Sequence, residues 1–377
     1  MLNVYEGFSS HEDTKIAAKE IIRQIKKPGV SYVIFFAANT YDFELLSSIM
    51  KEAFTHAEVV GCTTAGEISH NHLTQNSISA MAISSNNFIT STTVVEDIST
   101  IPMMFRDDLI KTFRKTGLSL EDPSSAKKGF ALTLIDGLSS AEEKTLSVIN
   151  SIFKYSGFPI IGGSAGDGLD FIKTKVSYNG NTFTNAAVVT FVNPNCKFYI
   201  LKENIFKPAG NHMVVTRADI RGRIIYELDN MPAARAYAEK LGIGKKDLPK
   251  YFTTNPLGRK IGDDVWIASP FKINSDDSIQ FYCQVLTNSI LEILKPLDPV
   301  EVINETSREL MKNVPNLKGI IAINCILRRL QFEEQKIGEQ VMAPLSNLAP
   351  LVGFSSYGEQ LNGKHLNQTL VLLGLGE

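Results

Sequence analysis

Three segments of this chain read as copies of one another: Val59-Val60-Gly61-Cys62-Thr63-Thr64-Ala65-Gly66-Glu67, Ile160-Ile161-Gly162-Gly163-Ser164-Ala165-Gly166-Asp167 and Leu351-Val352-Gly353-Phe354-Ser355-Ser356-Tyr357-Gly358-Glu359. Each runs from an apolar pair through a glycine, small hydroxyl residues and a second glycine to an acid. Paired glycines give backbone free to take φ > 0, so each segment reads as a turn that carries the chain out of a buried strand. The hydroxyls and the carboxylate then face whatever lies above it. Three such turns restrict the chain to folds that reuse one supersecondary unit.

The surrounding sequence supports that unit. Val33 to Ala37, Phe130 to Ile135 and Ile320 to Ile323 are apolar runs of strand length, each followed by a helical stripe and then by a glycine segment at a similar spacing (33 to 61, 130 to 162, 320 to 353). Ser140 and Glu143 form a capping-box signature for the second helix. Ile78 to Ile83 and Phe88 to Val95 read as a hairpin turning at Asn86-Asn87. Lys175 to Tyr178 and Ala186 to Val192 read as another, with Asn179-Gly180 as its turn signal. Residues 30–96 and 128–192 are therefore expected to be an internal duplication, and the C-terminal unit a third copy. Between them, residues 197–318 have a different texture of short strands and two helices. The expected fold class is α+β, two domains with mixed sheets flanked by helices, built from repeated strand-helix-strand-glycine loop-hairpin units. The division is expected near Pro194-Asn195, giving domains 1–194 and 195–377.

At 377 residues, 44% apolar and 21% charged, the chain has the composition of a globular protein with two cores. A net charge of −2 offers no electrostatic case for nucleic acid. No run approaches the ~20 apolar residues that span a bilayer, and His11, Glu12 and Asp13 stand where a secretory signal would be apolar, so a cytoplasmic location is expected. The four cysteines are scattered without a C-x-x-C pair, which disfavours a locally built metal site. The glycine segments match neither G-x-G-x-x-G nor a G-K-[ST] phosphate loop. Cys62 at a sharp turn could serve as a nucleophile with His70 or His365 as base, but Gly163 and Phe354 hold its place in the other copies, so no enzyme is expected.

Together with Thr254-Asn255-Pro256-Leu257-Gly258 and His365-Leu366-Asn367-Gln368-Thr369, the glycine segments resemble the FIST family, named for F-box and intracellular signal-transduction proteins. The resemblance covers most of the chain. It implies an N-terminal and a C-terminal FIST domain forming a sensory module that binds a small ligand and acts on a partner signalling protein. The stretch Asn324-Cys325-Ile326-Leu327-Arg328-Arg329-Leu330 is similar to the branch that senses nitric oxide through haem and regulates a partner histidine kinase.

Cys325 and Arg328 lie just past a strand, where open α/β arrangements present ligand contacts. Arg328 can grip a carboxylate or a haem propionate, or pair with an acid such as Glu359 and tie two elements together. Glu67, Asp167 and Glu359 can meet a ligand ammonium or cap their own turns. Thr63, Thr64, Ser164, Ser355, Tyr357 and Asn367 complete the candidate ligand-binding set. Haem would need an axial ligand, and His212 and His365 rank first among the histidines. Two ligand classes remain open, haem with nitric oxide and an amino acid or similar metabolite.

Overall fold

The structure, a computed structural model, describes residues 1–261 and 264–377. It repeats one element order three times. The first copy consists of β1 (Asn3–Ser9), α1 (Thr14–Ile25), β2 (Val30–Ala38), α2 (Phe43–Ala53), β3 (Glu58–Thr64), the hairpin β4 (Glu67–Ser69) and β5 (His72–Thr74), and β6 (Ile78–Ser84). The second has β7 (Ile89–Val95), α3 (Arg106–Arg114), β8 (Phe130–Ile135), α4 (Glu142–Asn150), β9 (Ile160–Ser164), the hairpin β10 (Val176–Tyr178) and β11 (Asn181–Phe183), and β12 (Ala187–Asn193). The third opens with β13 (Lys197–Asn204). It is then interrupted by β14 (Phe206–Asp219), β15 (Ile224–Leu228), β16 (Met231–Pro232), α5 (Ala233–Leu241), β17 (Leu257–Ile261), β18 (Asp264–Ala268), β19 (Pro270–Ile273), β20 (Ile279–Phe281) and β21 (Ile290–Pro296). It resumes with α6 (Pro299–Asn313), β22 (Leu317–Cys325), α7 (Ile326–Gln335), α8 (Gly338–Ser346), β23 (Leu351–Ser356), the hairpin β24 (Glu359–Leu361) and β25 (Lys364–Leu366), and β26 (Thr369–Gly376).

Two compact units result. The first is Met1–Glu203 with Ile303–His365 and Leu370–Glu377; the second is Asn204–Val302 with Leu366–Thr369. The mixed α and β content and the presence of two units agree with the sequence reading. The units part after Glu203 rather than at 194, because β13 pairs with β26 and so completes the third copy before the inserted unit begins. The second unit is an antiparallel sheet whose core, including Met213, Val215, Leu257 and Leu291, receives Tyr237 and the alanines of α5. That helix ends at Gly242, whose φ of +70° is the left-handed cap that glycine suits.

In the first unit the copies form three six-stranded sheets, in the orders β1-β6-β2-β3-β10-β11, β7-β12-β8-β9-β24-β25 and β13-β26-β22-β23-β4-β5. Each sheet takes four strands from one copy and its last hairpin from another, so the three hairpins are exchanged in a cycle. The expected pairing of Ile78 to Ile83 with Phe88 to Val95 is absent: β6 lies between β1 and β2, whereas β7 pairs with β12. The second expected hairpin also differs. Asn179-Gly180 does make the turn, with both residues at positive φ, but it joins β10 to β11 and β12 is a separate strand.

One face of each sheet carries helices. On the first, Val33, Phe35, Ala37 and Val59 bury against Ala18, Ile21, Leu46 and Met50 of α1 and α2. On the second, Ala131, Ile135 and Phe191 pack on Leu109, Phe113, Leu146 and Ile149 of α3 and α4. The opposite faces meet one another: Phe36 stacks on Phe354 at 4.6 Å, and a side chain at Gly163 would strike Ile323 and Phe354. The first glycine of each loop has no special dihedral. Gly61, Gly162 and Gly353 are extended, and a Cβ there would collide with Phe35, Thr133 or the Ala322 carbonyl on the neighbouring parallel strand. Close approach, not φ > 0, is what these positions require; among the glycines of the three repeated segments, Gly66 alone has a positive φ, +131°. The helix at Glu142 starts from Ala141 without a side-chain cap, so the Ser140 and Glu143 capping box does not form.

Candidate functional site

The three loops meet at the ends of the parallel pairs β2/β3, β8/β9 and β22/β23. The Ala65 N–H donates to the Ser355 carbonyl at 3.0 Å, the Gly166 N–H to Thr63 at 3.0 Å, and the Tyr357 N–H to Ser164 at 3.1 Å. Each loop thus donates from the same position to the same acceptor position in another, and the ring closes. Backbone groups that a strand end leaves unpaired are satisfied this way inside the protein.

The acids are not all equivalent. Glu67 stands opposite Phe354 and Glu359 opposite Gly163, but the residue in that register opposite Cys62 is Val176. Asp167 instead begins a segment, residues 167–174, that the other two loops lack. Its carboxylate accepts the backbone N–H groups of Phe171, Ile172 and Lys173 at 3.1, 2.7 and 2.8 Å and the Tyr357 hydroxyl at 2.5 Å. Glu67 accepts hydrogen bonds from the Thr64 hydroxyl and from the N–H and hydroxyl of Ser77. Glu359 accepts one from Ser356 at 2.6 Å. Where Val176 replaces the acid, Ala165 and Ala186 replace the hydroxyl residues, so carboxylate and donors are present or absent together. Burial pushes the Glu67 carboxyl up to about 7, against the lowering effect of the Ser77 and Thr64 hydrogen bonds and of Arg329.

The third copy carries a second polar cluster, under α7. Arg328 is fully buried; its Nε donates to the Asn324 Oδ1 at 2.9 Å, its Nη2 pairs with Glu203, and its guanidinium lies 5.2 Å from the centre of the Phe332 ring. The partner acid is thus Glu203, not Glu359. Nη1 of Arg328, Oε2 of Glu203 and the Ser355 hydroxyl are buried without a hydrogen-bond partner. Ser355 stands beside Asn324 in the parallel register of β22 and β23, which puts the two side chains on one face. In the other copies the place of Asn324 is held by Ala37 and Ile135, so the polarity is particular to this copy. Glu203 was not among the sequence candidates. Its signal is an acid two residues after buried Leu201, at the inward parity of β13.

The remaining candidates are dispersed. Cys325 is buried beside Ala65 and Ile326 at the start of α7. The Thr63 hydroxyl accepts the Lys175 N–H at 3.0 Å and, with Asp167, Asn39 and Tyr41, lines a cleft of about 250 Å³. Ser164 hydrogen-bonds Glu142 and Gln360 at 3.2 and 3.0 Å. Asn367 is buried in the second unit with its Oδ1 unpartnered. Neither haem candidate stands in an open apolar slot. His212 is exposed on β14 opposite Glu292, while the His365 ring is buried and packed on Gly358 so tightly that a Cβ there would overlap it. An axial imidazole needs an exposed ring nitrogen facing a flat cavity, so these surroundings do not fit haem. Burial pushes the Cys62 thiol well above its ordinary value, the opposite of an activated nucleophile. Among the described residues no helix is long and apolar enough to cross a membrane.

Fold and loops together define an α+β protein whose repeated strand ends enclose buried polar groups. The FIST N domain model matches residues 31–231 and the FIST C domain model residues 233–362, and the chain belongs to the FIST family of signal-transduction sensor proteins. An uncharacterised protein of Methanocaldococcus jannaschii is 24% identical over 297 residues, 73% of this chain, and the aligned part is 56% of that protein's own length. Two solved structures align at low similarity: Thermotoga maritima PurL complexed with AMPPCP (12% identity, TM-score 0.22, all of this chain and 73% of that one) and T. maritima PurLQS (11%, 0.21, all of this chain and 72% of that one). Scores at that level carry no structural argument.

Proposed function

We propose that this chain is a cytoplasmic sensor of an amino acid or a similar zwitterionic metabolite, and that it reports ligand occupancy to a histidine kinase or another signalling protein. The observation that carries this reading is the buried Arg328 and Glu203 pair, with one guanidinium nitrogen and one carboxylate oxygen left unpartnered beside the Ser355 hydroxyl. A ligand carboxylate would accept from Nη1 and Ser355, and its ammonium would donate to Oε2 of Glu203. Both charges of the site would then be satisfied, which is the condition for burying charge at low cost. Ligand binding would favour the arrangement of α7 that admits it, and a partner would read that population shift.

The test is a thermal-shift screen of the full chain with free amino acids and related amines and carboxylates. A stabilising ligand should raise Tm in proportion to the logarithm of its concentration, and Arg328→Ala and Glu203→Gln should each abolish the effect. A shift that survives both substitutions would exclude this site. The second reading, haem with nitric oxide as signal, would require the His365 ring, whose Nδ1 lacks a partner, to leave its packing on Gly358 and open a slot. It predicts a Soret band when the protein is purified with haem supplied, lost in His365→Ala; no band in either oxidation state removes it.

A further inference from the structure

The segment 167–174, present in one of the three loops only, is firmly held and yet displays apolar side chains to solvent. Asp167 gathers three consecutive backbone N–H groups and the Tyr357 hydroxyl, and the Asn39 amide bridges the Asp167 carbonyl at 3.0 Å and the Asp170 carboxylate at 2.8 Å. Phe171, stacked on Tyr357 at 5.1 Å, sits at φ +53°, a left-handed conformation that a bulky residue adopts only under constraint. On this fixed loop Leu169, Phe171 and Ile172 are 51%, 53% and 81% exposed. A cleft of about 390 Å³ is lined by Ile172 and Lys173 and also by Ser99, and the residues that follow Ser99, Ile101, Met103 and Met104, are exposed as well. Six of the ten exposed large apolar side chains of the first unit therefore belong to two short segments, 99–104 and 167–174, which reach one cleft through Ser99 and through Ile172 and Lys173. Apolar surface that is concentrated and held rigid marks an interface.

We propose that this surface binds a second copy of the chain across a two-fold axis. The charge pattern selects that occupant. The run Asp170-Phe171-Ile172-Lys173 sets an acid and a base on either side of the apolar pair, and neither Asp170 nor Lys173 makes an ion pair among the described residues. In an isologous contact each surface meets itself reversed, so the Lys173 of one copy faces the Asp170 of the other while the apolar side chains interleave. A patch of one sign would repel its own image; this one complements it.

The experiment is light-scattering mass measurement on the full chain across the micromolar range. The wild type should reach twice the chain mass of 41.6 kDa. Ile172→Asp should weaken association about tenfold or more, as expected of a central apolar anchor. Phe171→Asn suits the left-handed backbone, so it should keep or raise the urea midpoint while losing the dimer, which separates interface from fold. Lys173→Asp should dissociate the dimer and Asp170→Lys with Lys173→Asp should restore it. A wild type that stays at one chain mass, or a dimer indifferent to Ile172→Asp, overturns the proposal.

Discussion

The hydroxyl of Tyr357, in the third loop, donates to the Asp167 carboxylate, in the second, at 2.5 Å. The same carboxylate caps three N–H groups of its own turn, so one contact joins two copies at a point where neither has a strand to share. Burial and the neighbouring Asp167 both push the Tyr357 hydroxyl up, which keeps it a donor at any physiological pH. Tyr357→Phe should cost about 1.5–3 kcal/mol, the range for a hydrogen bond to a charged group. Urea unfolding would measure it, and a change below a few tenths would mean that the carboxylate is satisfied by its turn alone.

The Arg328 and Glu203 pair should show strong non-additivity. Arg328→Met or Glu203→Leu alone leaves a buried partner uncompensated and should cost about 3–5 kcal/mol. The double variant Arg328→Met with Glu203→Leu should recover much of that loss. Additive losses in the double-mutant cycle would show that the two side chains do not act as a unit.

Glu67 makes stability depend on pH in a defined direction. Its folded value of about 7 lies above the ordinary 4.5, so the folded state holds the proton more tightly than the unfolded chain. The stabilisation is complete below 4.5, declines between there and about 7, and is gone above. Relative to Glu67→Gln, the wild type should thus lose up to about 3 kcal/mol on going from pH 4 to pH 8. Denaturation curves of both proteins at the two pH values decide it, and parallel stabilities across the window would rule out titration of Glu67.

Gly353→Ala tests the close strand contact. The new methyl would meet the Ala322 carbonyl, a backbone atom that cannot rotate away. A loss of about 3 kcal/mol is expected from overpacking of this kind. Gly157→Ala is the control for a glycine with open space around it, where only the positive φ of 89° opposes the change.

The apolar runs and glycine segments make the copies legible from sequence, because a buried strand must be apolar and a crowded strand end must lack a Cβ. Strand partners are not legible in that way. Nothing local tells β7 to join β12 rather than the adjacent β6, nor sends β4 and β5 to the sheet of a copy far along the chain. Asp167 misleads for a related reason: it follows its glycine as Glu67 does, and only the ladder shows that the equivalent residue is Val176. Arg328 is legible as important because an arginine just past the end of an apolar strand needs a partner. That partner, Glu203, lies 125 residues away across an inserted unit, beyond the reach of spacing arguments.

The cyclic exchange of hairpins bears on how the chain is made. The β4 and β5 segment leaves the ribosome long before the strand it pairs with, β23, and β9 and β13 likewise precede their partners β24 and β26. Until then the edges of β4, β9 and β13 stand open and sticky. Native closure is thereby postponed until β26 has been made, and completion of each copy in turn, available to chains of independent modules, is closed to this one. During synthesis the nascent protein should lean on chaperones more heavily than its final stability suggests.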